Sequence, residues 1–136
     1  MTMLHAVENA CATLFASSSL VSSSLHIYTG VDDDTKVAPL IICDANSARE
    51  EFLGSGVWHC NVDIKIRAMA LDHTPAQFDT FVDTAYELIL SESLDLGAYS
   101  TDLSVYQIAV VNSQQSISGD AWESMLTLDI VGVNNS

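Results

Sequence analysis

Three consecutive aspartates, Asp32, Asp33 and Asp34, are the densest acidic cluster in the chain. Carboxylates at that density suggest cation binding or shared-proton chemistry. A calcium loop, however, sets its oxygens at alternate positions around a glycine turn and closes with a distal glutamate. Consecutive aspartates diverge, and the twelve-residue pattern is absent. The run therefore reads as the solvated tip of an acidic hairpin. A second acidic set, Asp79, Asp83 and Glu87, repeats every four residues. On a helix that spacing puts the carboxylates on one face, where like charges repel by a few tenths of a kcal/mol per pair. No lysine or arginine lies nearby in this stretch to compensate. The stripe is thus expected either to be fully solvated or to line a surface where negative charge is useful. A carboxylate pair for acid–base work needs one member desolvated in a cleft, and nothing in the pattern provides that.

The remaining candidates are sparse. His5, His26, His59 and His73 are scattered, and no serine stands in a nucleophile motif or glycine-rich phosphate loop. Cys11, Cys43 and Cys60 are odd in number and lack Cys-x-x-Cys spacing, so they read as small apolar thiols rather than zinc ligands. No catalytic residue, cofactor or metal is expected. Lys65 and Arg67 make up half of the four basic residues and share the polar face of one strand with His59. Two readings stand side by side: cross-strand pairing with carboxylates such as Glu123 or Asp129, or contact with an acidic patch on a neighbouring copy, which makes His59, Lys65 and Arg67 subunit-interface candidates.

Charge and composition limit the partners. Eighteen acidic residues against four basic ones give a net charge of −14 over 136 residues. Such a chain lacks the clustered cations that neutralise phosphate, and it repels anionic membranes. It can still let nucleic acid slide past without sticking. With 49% hydrophobic residues it carries enough apolar surface for a single packed domain. The first residues lack a basic segment before an apolar run, so neither a signal peptide nor a membrane span is expected, and the protein is expected to be soluble and made in the cytoplasm.

The elements that must position these residues follow from periodicity. Met3, Leu4, Val7, Ala10, Cys11, Leu14 and Phe15 recur at helical steps, giving an amphipathic helix over residues 3–17 that frays in the following serine triplets. "LHIYTG" reads as a short strand. "VAPLIICD" reads as another, with Pro39 at its beginning or at a sheet edge. "ANSAREEFLGSG" reads as a loop with at most a helical turn. In "VWHCNVDIKIRAMALD" Trp58, Cys60, Val62, Ile64, Ile66 and Ala68 alternate strictly with polar residues, the pattern of a strand with one face in a core. Thr74, Pro75 and Gln77 form a capping box opening a helix whose buried stripe is Phe78, Phe81, Val82, Ala85, Leu88 and Ile89. "LSVYQIAVV" and "AWESMLTLDIVGV" are strands that pair as a long hairpin, with "NSQQSISGD" as the loop between them. The fold class is α+β, in the order α-β-β-β-α-β-β: a mostly antiparallel sheet of about five strands with two helices on one face.

That order, together with "IYTG" before an acidic loop, "VAPLIICD", the strand-to-helix run "GVWHCNVDIKIRAMALDHTPAQFDTFVDTAYELI" and the closing "WESMLTLDI", resembles the tail terminator (tail-completion) proteins of long-tailed bacteriophages over nearly the whole chain. The resemblance implies a structural virion subunit, not an enzyme. Such subunits form a homo-oligomeric ring, usually of six copies, between the tail-tube protein and a head-completion or stopper protein, with DNA passing through the hole. An acidic lumen would then repel phosphate, supplied by Asp32, Asp33 and Asp34 or by Asp79, Asp83 and Glu87. Other neck or tail subunits, such as a stopper or tube protein, and a small-ligand-binding domain are the alternatives.

Overall fold

The computed structural model describes residues 3–17, 25–30, 36–52, 54–71, 74–91, 103–118 and 120–134. Its elements are α1 (Met3–Ala16), β1 (His26–Thr29), β2 (Leu40–Glu50), β3 (Val57–Met69), α2 (Pro75–Ser91), β4 (Leu103–Ser118) and β5 (Ala121–Asn134). The chain is α+β in the order expected. Among the described residues, no helix is long and apolar enough to cross a membrane.

All five strands lie in one sheet, ordered β1-β2-β3-β5-β4. β3 is its spine: it pairs antiparallel with β2 from Trp58 to Arg67 on one side and with β5 along its whole length on the other. Its alternation explains why. Cys60, Val62, Ile64, Ile66 and Ala68 are buried on one face, together with Leu126, Leu128 and Ile130 of β5 and Ile41 and Cys43 of β2. α1 presses Val7, Ala10, Cys11, Leu14 and Phe15 onto this face, and α2 adds Phe78, Val82, Ala85 and Ile89. Both helices therefore cover the same side, as their single apolar stripes require. Phe78 stacks on Trp122 with ring centroids 6.2 Å apart, which locks the start of α2 to the start of β5.

The capping box at α2 forms as its sequence dictates. The Gln77 N–H donates to Thr74 Oγ1 at 3.2 Å, and the Thr74 N–H donates to Gln77 Oε1 at 2.9 Å. Pro75 then occupies the first helical position, where no N–H is needed. Farther along, Tyr86 reaches from α2 to hydrogen-bond the hydroxyl of Ser124, a side chain only 1% exposed.

Three expectations are corrected. The sheet is mostly antiparallel, as expected, but mixed: where a hairpin was expected, β1 runs parallel to β2, His26 opposite Leu40 and Thr29 opposite Cys43. The connection between β1 and β2 is thus not a hairpin. It is bracketed by the His26 N–H bonded to the Pro39 carbonyl and the Gly30 N–H bonded to the Cys43 carbonyl. Asp32, Asp33 and Asp34 themselves lie outside the described residues, as do His73 and most of the two serine triplets. Second, β2 does not stop at Asp44. It continues through residues 45–50, which had read as loop, with an irregularity between Ala45 and Ser47. Third, "NSQQSIS" is strand: β4 runs to Ser118, and only Gly119 and Asp120 separate it from β5. Both extensions have one cause. β3 and β5 are strong strands with long free ladders, and the hydrogen bonds they offer outweigh the weak intrinsic preference of the neighbouring segment.

Candidate functional site: the polar sheet face and the acidic helix stripe

Turned away from the helices, the alternate residues of β3 form a row of polar groups: His59, Asn61, Asp63, Lys65 and Arg67. Register decides what each meets. Arg67 lies directly opposite Glu123. Its Nη2 donates to Glu123 Oε1 at 2.7 Å and its Nε to the same oxygen at 3.2 Å. Both side chains are about four-fifths buried, at 21% and 20% exposure, so this pair is better shielded from water than a surface ion pair. His59 sits diagonally from Asp129, with Nδ1 3.4 Å from Oδ2. Lys65 is flanked by Ile42 on β2 and Met125 on β5.

The centre of the face is a carboxylate network. Asp63 stands opposite Asp44, and its Oδ1 accepts the Thr127 hydroxyl at 2.8 Å while its Oδ2 accepts the Asn46 side-chain amide at 2.7 Å. Asn46 falls at the irregularity between Ala45 and Ser47, and the break in the ladder aims its amide at Asp63. Like charges directly opposite are unfavourable. The Asp44 carboxyl is accordingly pushed above its ordinary range, first by partial burial and then by Asp63, with Lys65 offsetting part of the effect. The same irregularity is met from the helix side, where Glu8 Oε2 accepts the Ala45 N–H at 3.0 Å.

The face is not polar throughout. Leu40 and Ile42 share it, in register with Arg67 and Lys65, yet are essentially inaccessible. Its depressions are shallow. One of about 170 Å³ is lined by Lys65, Gln114, Ser116, Glu123 and Met125. A smaller one of about 60 Å³ lies between Asp44, Asp63 and Lys65. A third, of about 260 Å³, opens between the start of α2 and the β4–β5 hairpin, against Phe78, Ile117 and Trp122. All three fall below the roughly 300 Å³ at which pockets for small molecules usually begin. Among the described residues, no three His, Cys, Asp or Glu side chains converge as metal ligands.

Asp79, Asp83 and Glu87 are exposed on the side of α2 opposite Phe78, Val82, Ala85 and Ile89. They remain together as one stripe, with no basic residue in the last turn of the helix. By contrast, Arg49, Lys65 and Arg67, three of the chain's four basic residues, belong to the polar positions of β2 and β3. Among the described residues, the sheet face thus sets cations among its carboxylates Asp44, Asp63, Glu123 and Asp129, whereas the α2 stripe has none.

The cysteines are free and buried, as small apolar thiols should be. Burial pushes the Cys11 thiol up to about 12 and Cys60 to about 11, and holds Cys43 well above the ordinary value. None is a nucleophile in the folded state. Reading the sequence singled out His59, Lys65 and Arg67, and the fold places them in one row. It missed Glu8, Asp44, Asn46, Asp63 and Thr127. Asp63 alternates visibly with apolar residues, but its partners depend on strand register, which periodicity does not encode. The chain matches no family model, and no curated protein matches it.

Proposed function

We propose that this chain is a structural virion subunit of a tailed bacteriophage, a tail terminator that assembles as a ring at the head-proximal end of the tail. The ring joins the tail-tube protein to a head-completion or stopper protein, and DNA passes through it without specific binding. The observation that carries this reading is the division of charge. Asp79, Asp83 and Glu87 stand exposed along one helix face, whereas Arg67 is engaged by Glu123 at 2.7 Å. A surface of uncompensated carboxylates repels phosphate and keeps a duplex moving.

A structural rather than catalytic role is supported by the way titratable groups on the sheet face satisfy one another. Asp63 is held by Thr127 and Asn46, Glu123 by Arg67, and Asp129 lies beside His59. Groups so paired stabilise a surface and are poorly placed to exchange protons with a substrate.

The test is light scattering after size exclusion, with negative-stain images of the same peak. Closed rings are expected. Open tubes would move the reading to a tube subunit, and a monomer at high concentration would overturn self-assembly. In virions, Asp79→Asn/Asp83→Asn/Glu87→Gln is expected to slow DNA ejection. Unchanged assembly and ejection would remove the stripe from the DNA path.

A further inference from the structure

Of the seven elements among the described residues, five carry at least one charged side chain. The two that carry none are β1, "HIYT", and β4, "LSVYQIAVVNSQQSIS". These are also the two edge strands of the sheet. In a chain of net charge −14, this is a marked placement, because two copies approaching each other repel wherever their charged surfaces meet. Edge strands are normally where charge is most useful. Lysines, prolines or inward-pointing charges at an edge discourage pairing with another chain. Over its 16 residues β4 has no charge, no proline and no glycine, and is interrupted only by two register shifts, at Val105/Gln107 and Val110/Asn112.

Four of the seven exposed large apolar side chains among the described residues lie at the same two places. Val110, Val111 and Ile117 of β4 are 49–63% exposed. Val37, 58% exposed, sits beside β1, its N–H donating to the Tyr28 hydroxyl at 3.2 Å. Strand directions also match. β1 and β2 are parallel, and each of the next three pairings is antiparallel, so β4 runs opposite to β1. Copies repeated around a ring therefore bring β4 of one beside β1 of the next in antiparallel sense, the more stable arrangement.

We propose that a second copy of this chain docks on the β4 edge through its β1 edge, so that the sheet continues from copy to copy. The contact uses two different patches, as a ring requires, and leaves one β1 and one β4 free on any open chain of copies. It rests on the ring reading above and names the interface that the ring would use. His59, Lys65 and Arg67 lie on strands in the middle of the sheet and take no part in this junction.

The experiment compares the wild-type chain with Val110→Glu/Val111→Glu, with Val37→Glu, and with Phe52→Glu/Leu71→Glu, which adds charge at exposed positions off both edges. Each is assessed by light scattering after size exclusion, with circular dichroism and thermal unfolding to verify the fold. The expected result is a ring for wild type and for Phe52→Glu/Leu71→Glu, and a folded particle of single-chain mass for the two edge variants. Rings that persist in Val110→Glu/Val111→Glu overturn the interface and leave the ring reading standing. A two-copy wild-type particle that Val110→Glu/Val111→Glu splits and Val37→Glu does not would mean β4 pairing with β4, which also overturns it. A monomeric wild type removes the ring reading and this interface together.

Discussion

Arg67 and Glu123 face each other across the β3–β5 ladder, joined by two hydrogen bonds to one carboxylate oxygen, the shorter 2.7 Å. The pair is directly opposed, mostly buried and joins β5 to β3, the strand that both its neighbours use as a template. Glu123→Gln is expected to cost about 1 kcal/mol, more than an exposed pair would, because Arg67 keeps its charge while losing its counter-ion. Urea denaturation of the two single variants and of Arg67→Met/Glu123→Gln gives the coupling energy. A coupling near zero would mean that water already satisfies both groups.

Tyr86 fastens α2 to the sheet through the buried hydroxyl of Ser124. Tyr86→Phe leaves Ser124 without its partner, at a cost of about 1–2 kcal/mol. Adding Ser124→Ala removes the orphaned hydroxyl and is expected to recover much of that loss. Thermal unfolding of the two single variants and the double variant measures it, and additive losses would contradict a direct bond.

Among the described residues, Gly132 is the glycine that packing, not backbone conformation, requires. A Cβ there would lie 2.6 Å from the Ser104 carbonyl oxygen and 3.3 Å from Met3 Cε. The first is a backbone atom held in the β4–β5 ladder, so it yields only if the strands part. Gly132→Ala is expected to destabilise the fold by about 1–3 kcal/mol, the usual range for overpacking. A wild-type denaturation midpoint would show that β4 gives way there at no cost.

Glu50 closes the turn between β2 and β3 by accepting the Gly54 and Gly56 N–H groups, both at 2.9 Å. Both glycines have positive φ, 86° and 76°, which suits them to the tight turn. These two bonds hold the Glu50 carboxyl below its ordinary value of 4.5. A depressed carboxylate stabilises the fold above its unfolded pKa, and that contribution is lost as pH falls through the folded value. The wild type should therefore lose stability below about pH 4.5 in a step that Glu50→Gln lacks. Parallel stability–pH curves for the two proteins in that window would exclude the role.

The sequence by itself determined the elements whose cause is local. Residues repeating at helical steps made α1, the alternation from Trp58 to Ala68 made β3, and Thr74, Pro75 and Gln77 fixed where α2 begins, because each depends on groups within a few residues of one another. Tertiary structure decided everything that depends on register and neighbours. "SARE" and "NSQQSIS" became strand because β3 and β5 supplied partners that their own propensities do not announce. β1 came to lie parallel to β2, so the two are not the arms of the expected hairpin. The sequence placed Lys65 and Arg67 on one face. Only the ladder chose Glu123 for Arg67, set Asp63 against Asp44, and left the two uncharged strands at the two edges of the sheet. Periodicity fixes which way a side chain points; pairing fixes what it meets.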